Sequence, residues 1–131
     1  MEKITVRTSR RQEFLEITDV VEGIVRKEGM DSGICHIYLP HTTCGLTINE
    51  NADPSVKADI ISKLGQLVPE SSGYSHSEGN SDAHIKASMM GNSLSVLIEN
   101  GTLQLGTWQG IFLCEFDGPR TRQVWLKIVK Q

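Results

Sequence analysis

Leu94-Ser95-Val96-Leu97-Ile98-Glu99-Asn100-Gly101-Thr102-Leu103-Gln104-Leu105 reads as strand, turn and strand in quick succession. Leu94, Val96 and Ile98 alternate with Ser95 and Leu97, the period of a strand that turns one face inward. Asn100-Gly101 supplies two residues that accept the positive φ of a tight hairpin turn, and Leu103 and Leu105 resume the apolar rhythm. Downstream, Gly106-Thr107-Trp108-Gln109-Gly110 leads into Ile111-Phe112-Leu113-Cys114-Glu115-Phe116, apolar enough to be buried on both faces. Asp117-Gly118-Pro119 turns the chain, and Arg120 to Val129 closes it, with Val124, Leu126 and Ile128 alternating against Gln123, Trp125 and Lys127.

Upstream the pattern mixes strands and helices. Ile4 to Thr8 and Phe14 to Ile17 are short strand-like runs on either side of the charged turn at Arg10-Arg11, which suggests an opening hairpin. Thr18 or Asp19 can cap a helix with Val20, Val21, Ile24 and Val25 on one face and Gly29 as its stop. Ile34 to Leu39 is the next strand, with Cys35, Ile37 and Leu39 on one side and His36, a structural histidine, on the other. Asp53-Pro54 is a cap followed by a first-turn proline, opening a helix with Val56, Ile60, Ile61 and Leu64 on one face and an end at Gly65. Asn80-Ser81-Asp82 repeats the device of Asn51-Ala52-Asp53, so Asp82 is expected to cap a helix running through Ile85 and Met89 to Gly91. Antiparallel strands interrupted by two or three short helices point to an α+β domain rather than a doubly wound sheet.

The chain has 131 residues, the size of one domain, and can bury roughly two thirds of its unfolded surface without disulfides. Its three cysteines are odd in number, share no CxxC spacing and sit among apolar neighbours, as reduced thiols of a cytoplasmic protein would. No apolar run approaches the ~18 residues a membrane span needs, and the N-terminus has no apolar signal core. The net charge of -3 with scattered basic residues speaks against a nucleic-acid surface.

Two polar segments carry the chemistry: His41 to Asp53 and His76 to Lys86. His41, His76 and His84 are three of only four histidines and all fall in these segments. Three neutral imidazoles leaving one open position are the ligand set of catalytic zinc, so zinc is favoured over magnesium. The spacing matches neither HExxH nor paired CxxC, and separate hydrogen-bonding roles remain the alternative. Glu50, Glu78, Asp53 and Asp82 are candidates to orient the imidazoles, act as general base or bind magnesium, while capping explains the two Asp as well. Lys86 and Arg120 are candidates for phosphate, assisted by the hydroxyls of Thr42, Thr43, Ser81 and Thr107. Trp108, flanked by glycines, can stack on a planar ring or anchor a core. A nucleophilic Cys44 beside His41 is a weak candidate, because a buried thiol is inert.

His41-Thr42-Thr43-Cys44-Gly45-Leu46-Thr47-Ile48-Asn49-Glu50-Asn51-Ala52-Asp53-Pro54, His76 to Lys86, Leu105-Gly106-Thr107-Trp108-Gln109-Gly110-Ile111 and Cys114-Glu115-Phe116-Asp117-Gly118-Pro119-Arg120 resemble the YjbQ-like family, also called secondary thiamine-phosphate synthase enzymes. The resemblance covers essentially the whole chain. It implies a single compact α+β domain with a β-sandwich-like core, a homotrimer with sites near subunit boundaries, and a weak thiamine phosphate synthase activity. That activity joins hydroxymethylpyrimidine pyrophosphate to thiazole phosphate and releases pyrophosphate. The motif positions carry over to His41, Thr42, Asn49, Glu50, Asn51, His76, Glu78, Asn80, Asp82, His84, Trp108, Gln109, Glu115 and Arg120; Cys44 stands where Ala is frequent, which argues against a required thiol.

The resulting assignment has three parts. Glu50, Glu78, Asn80, Asp82, Lys86 and Arg120 are catalytic; Thr42, Thr43, Asn49, Asn51, Trp108 and Gln109 bind a small substrate, a phosphorylated one in the transferase reading; and His41, His76 and His84 hold a divalent metal. Because imidazoles suit zinc whereas pyrophosphate chemistry usually employs magnesium on oxygens, three readings stay open: the transferase, a metal-dependent hydrolase, and a non-enzymatic trimer that binds metal or metabolite.

Overall fold

The computed structural model describes residues 1–131. In chain order the elements are β1 (Glu2–Arg7), β2 (Glu13–Glu16), α1 (Thr18–Glu28), β3 (Gly33–Tyr38), β4 (Cys44–Glu50), α2 (Pro54–Leu67), α3 (Ser81–Met90), β5 (Ser93–Glu99), β6 (Thr102–Leu103), β7 (Gln109–Glu115) and β8 (Thr121–Lys130). They build two sheets with every pair antiparallel: five strands ordered β1-β8-β3-β5-β6 and three ordered β2-β7-β4. Helix α1 closes one side of the main core, and α2 and α3 cover the outer face of the small sheet, so the chain is a single α+β domain.

Alternation explains the layers. Cys35, Ile37, Val96, Ile98, Val124 and Leu126 from the large sheet meet Cys44, Leu46, Ile111 and Leu113 from the small one, with Val21 and Val25 of α1 joining them. Phe14, Phe112, Cys114 and Phe116 point the other way, onto Leu64 of α2 and Ala83 and Ala87 of α3. Strand β7 therefore packs on both faces, as its continuous apolar run predicts. The hairpin between β5 and β6 turns at Asn100 and Gly101, whose φ values of 53° and 75° are the positive pair expected there.

Several local expectations are corrected. The opening hairpin does not form: β1 pairs with β8 and β2 with β7, in different sheets. The turn between them is instead tied to α3, Arg11 Nη2 reaching Asp82 Oδ1 at 3.0 Å. Neither Thr18 nor Asp19 caps α1; the cap position is Ile17, and Thr18 Oγ1 accepts from Ile111 N–H at 2.9 Å to bind the helix to β7. On that helix Val20 is half exposed whereas Val21 and Val25 are buried. Helix α2 passes through Gly65 to Leu67, although its start is as read, Asp53 accepting from Ser55 N–H at 2.9 Å. Strand β4 was hidden in a segment read for its polar chemistry. It lies so close to the end of α3 that a Cβ on Gly45 would come within 2.7 Å of Met90 Cβ.

Candidate functional site

The β3–β4 loop, the entrance of α3 and the β7–β8 turn form a cleft of about 330 Å³ lined by Pro40, His41, Thr42, Thr43, Glu78, Asn80, His84, Asp117, Arg120 and Arg122, all but Pro40 polar or charged. A neighbouring hollow shares His41, Thr42 and His84 and continues past Cys44 along α3. The fold positions each wall for a separate reason: Pro40 lies just past the end of β3, Asn80 holds the cap position of α3, and the turn after β7 carries Asp117 and Arg120.

The cleft rests on a buried ion pair. Glu115 and Arg122 are 0% and 3% exposed. Glu115 accepts from Arg122 Nε (2.9 Å) and Nη2, from Thr8 Oγ1 (2.7 Å), and from the Phe116 and Asp117 backbone N–H groups (3.1 Å each). Arg122 Nη2 also donates to Thr43 Oγ1 at 2.9 Å, which makes Thr43 a buried brace rather than an open ligand contact. Arg120 is half exposed and held by Asp117, Nε donating to its carbonyl (2.8 Å) and Nη2 to Oδ2 (3.0 Å). Asn80 Nδ2 donates to the same carboxylate at 2.8 Å, while its buried Oδ1 finds no partner in the chain. Burial opposes the charge on Asp117, but the bonds from Asn80 and Arg120 outweigh it and hold the carboxyl below its ordinary range.

Two expected catalytic groups lie behind the cleft. Lys86 and Asp82 are both 0% exposed. Lys86 Nζ meets Asp82 Oδ2 at 3.2 Å, and Arg11 donates to both carboxylate oxygens at 3.2 and 3.0 Å. Asp82 is thus neither the helix cap nor a cleft residue, and Lys86 has no route to a substrate phosphate. They pin α3 to the β1–β2 turn.

The other motif residues gather elsewhere. Asn49, Glu50, Asn51, Trp108 and Gln109 sit at the far end of the small sheet, where Glu50 faces Gln109 across the ladder; Cys44 faces Glu115 at the cleft end. Six residue steps of strand separate the two ends, about 20 Å. There Asn51 N–H donates to the Trp108 carbonyl at 2.9 Å, Glu50 Oε2 accepts from Ala52 N–H at 2.7 Å and Gln109 Oε1 from Gly106 N–H at 2.8 Å. These bonds close turns, and the Trp108 ring is left 63% exposed.

The three imidazoles do not converge. His76 and His84 stand edge to face with ring centroids 5.5 Å apart, and His76 Nε2 lies 3.7 Å from Glu78 Oε2. Nε2 of His41 is taken, accepting from Gln123 N–H at 2.9 Å. No three His, Cys, Asp or Glu side chains come together as a metal-holding group. The donor set of one chain thus does not fit the expected zinc centre. Cys44, buried, has its thiol pushed up to about 11 by desolvation and is no nucleophile.

Sequence reading passed over Arg122 and Asp117. The signal for Arg122 was present: it falls in phase with Val124 and Leu126 on the buried face of β8, where a charge must have a partner.

Comparison with known proteins places the whole chain. The family model described as UPF0047 protein YjbQ-like matches residues 2–131. UPF0047 protein MJ1081 of Methanocaldococcus jannaschii is 50% identical over 127 residues, covering 97% of this chain and 92% of the relative. UPF0047 protein YugU of Bacillus subtilis is 48% identical over 130 residues, covering 98% of each. A crystal structure of a YjbQ/UPF0047 family protein from Clostridium acetobutylicum superposes with a TM-score of 0.97 at 50% identity, over 98% of this chain and 100% of that one. One from Sulfolobus solfataricus, a YjbQ-like protein of unknown function, gives 0.95 at 36% identity, over 99% and 96%. A match this complete, carried by the same two-sheet domain, means that the chain belongs to the UPF0047 YjbQ-like family.

Proposed function

We propose that the cleft binds a small phosphorylated substrate and supports a weak transfer of the thiamine phosphate synthase type. The observation that carries this reading is the lining: polar apart from Pro40, with the Arg120 guanidinium, the Thr42 hydroxyl, Asn80 and His84 gathered at the entrance of α3. A helix N-terminus carries partial positive charge and unpaired N–H groups, which favour a phosphate, and a half-exposed arginine adds charge that a ligand can reach.

In the transfer, the thiazole ring nitrogen gives its electron pair to the methylene carbon of the pyrimidine. The bond from that carbon to the pyrophosphate oxygen breaks, and its electron pair leaves with pyrophosphate. No proton moves in the bond-forming step, so the chain's task is to orient two substrates and to neutralise the leaving group. Arg120 and the start of α3 serve the second purpose. Lys86, being buried, does not.

Self-association as a homotrimer belongs to the same reading. It is supported by an apolar row on the outer face of the large sheet, where the register aligns Leu97, Ile34 and Val129, which are 60%, 36% and 46% exposed. Light scattering on eluting protein tests it: three chain masses are expected, and a monomer at working concentration overturns it. No helix is long and apolar enough to cross a membrane.

The activity test is pyrophosphate release from the two thiamine precursors. Release by wild-type protein, reduced about tenfold or more in Arg120→Ala by loss of a charged hydrogen bond, is the expected result. An unchanged rate in the variant removes the chemistry from this cleft.

A further inference from the structure

We infer that His41 serves the cleft as a fixed neutral hydrogen-bond donor, offering Nδ1–H to an acceptor oxygen of the phosphorylated ligand, rather than as a metal ligand or proton acceptor. The inference rests on the ligand class proposed above but draws on a separate observation, the hydrogen-bond ladder of β8.

Strand β3 pairs with β8 only as far as Tyr38 opposite Trp125. Continued in register, the next pairing position on β8, Gln123, would face Pro40, where the chain turns away. The Gln123 N–H is thereby left without a backbone carbonyl, and the His41 side chain takes its place, Nε2 accepting at 2.9 Å. A backbone N–H can only donate, so Nε2 must present its lone pair. A neutral imidazole has one N–H, which is then on Nδ1. That nitrogen has no partner within the chain, and the ring borders both the cleft and the adjoining hollow.

The fold thereby selects the tautomer. Moving the proton to Nε2 would set two N–H groups against each other at hydrogen-bond distance, and so would binding a metal through Nδ1, which needs that nitrogen's lone pair. Protonating both nitrogens meets the same obstacle. The surroundings agree, since burial and then the Arg122 charge lower the imidazole's pKa. What remains is a neutral donor whose position is set by a strand, beside Thr42 and at the rim of the Arg122 and Arg120 guanidiniums.

Two measurements test this. In protein labelled with nitrogen-15 histidine, long-range proton–nitrogen correlation spectra, assigned by the signals missing in His41→Asn, should show a protonated Nδ1 and an unprotonated Nε2 for His41 at neutral pH. Calorimetric titration with inorganic pyrophosphate then separates the two edges of the ring. Asparagine can place a donor near the Nδ1 position but leaves Gln123 N–H unpaired, so His41→Asn should keep pyrophosphate affinity and lower the melting temperature. Glutamine can accept from Gln123 N–H without a donor at Nδ1, so His41→Gln should keep the melting temperature and weaken affinity about tenfold. An Nε2–H tautomer or an imidazolium overturns the inference, as does His41→Gln binding as well as wild type. Should the tautomer be as expected and wild-type protein not bind pyrophosphate, the ligand reading falls and the donor's role in it with it; normal binding with the wrong tautomer sinks this inference alone.

Discussion

The two ends of the small sheet carry similar residue types and treat them in opposite ways. At the cleft end Glu115, Arg122, Asp82 and Lys86 are withdrawn from water; Glu115 is bonded to Thr8, Arg122 to Thr43 and Asp82 to Arg11, all far away in sequence, and Lys86 is held by Asp82 one helical turn back. At the far end Glu50 is half-buried and Gln109 exposed, both bond the backbone of their own loops, and Trp108 lies open. A buried charge persists only when its partners are supplied by the fold, because losing one partner leaves the other uncompensated. The cleft end is therefore rigid by construction, whereas the far end is a set of satisfied turns. Rigidity under a polar lining is what a binding site requires.

Substitution should break this contrast unevenly. Glu115→Gln strips the charge from a carboxylate that accepts five hydrogen bonds and leaves Arg122 buried and unpaired; a stability loss of about 3–5 kcal/mol is expected in denaturant unfolding. Asp82→Asn should cost about 3 kcal/mol, because Lys86 is left buried without its counter-charge, whereas Arg11 is partly exposed and can turn to water. Trp108→Ala, at the far end, should shift stability by no more than about 0.5 kcal/mol and leave pyrophosphate binding unchanged. A large loss there would mean that the exposed ring is covered in the assembled protein.

Acid should attack the same end first. Burial works against the charge on Asp82, but hydrogen bonds from Arg11 and Lys86 outweigh it, and its carboxyl titrates below the ordinary value. Since its folded pKa lies under the unfolded value of ~3.9, the stabilisation is fully present above that pH and is lost as pH falls through the folded value. Asp117 behaves alike. Acid unfolding followed by circular dichroism should be shallower below pH ~4 in Asp82→Asn than in wild type. An identical acid limb would place the sensitivity elsewhere.

How much of this was legible in the sequence follows the same division. Alternation and turn chemistry are local, so β5, the Asn100-Gly101 turn, β7, β8 and the start of α2 could be read directly. Partner choice between strands is not local: β1 and β2 looked like a hairpin because nothing in the intervening turn reveals that Arg11 binds Asp82. Residue type alone could not tell that His41, Thr42, Asn80, His84 and Arg120 of the polar segments and their surroundings share a cleft while Asn49, Glu50, Asn51, Trp108 and Gln109 lie a sheet's length away. Asp82 and Lys86 misled for a related reason. A charge at a helix entrance reads as a cap or a ligand until packing shows that it is buried.

The most direct test of the cleft as an anion site is calorimetric titration of inorganic pyrophosphate into wild-type protein and Arg120→Ala. Arg120 is half exposed, and its pairing with Asp117 contributes little to folding, so the variant should melt close to wild type. Saturable binding by wild type, weakened about tenfold or more in the variant, is the predicted result. No binding by wild type, or equal affinity in a folded variant, would contradict the assignment.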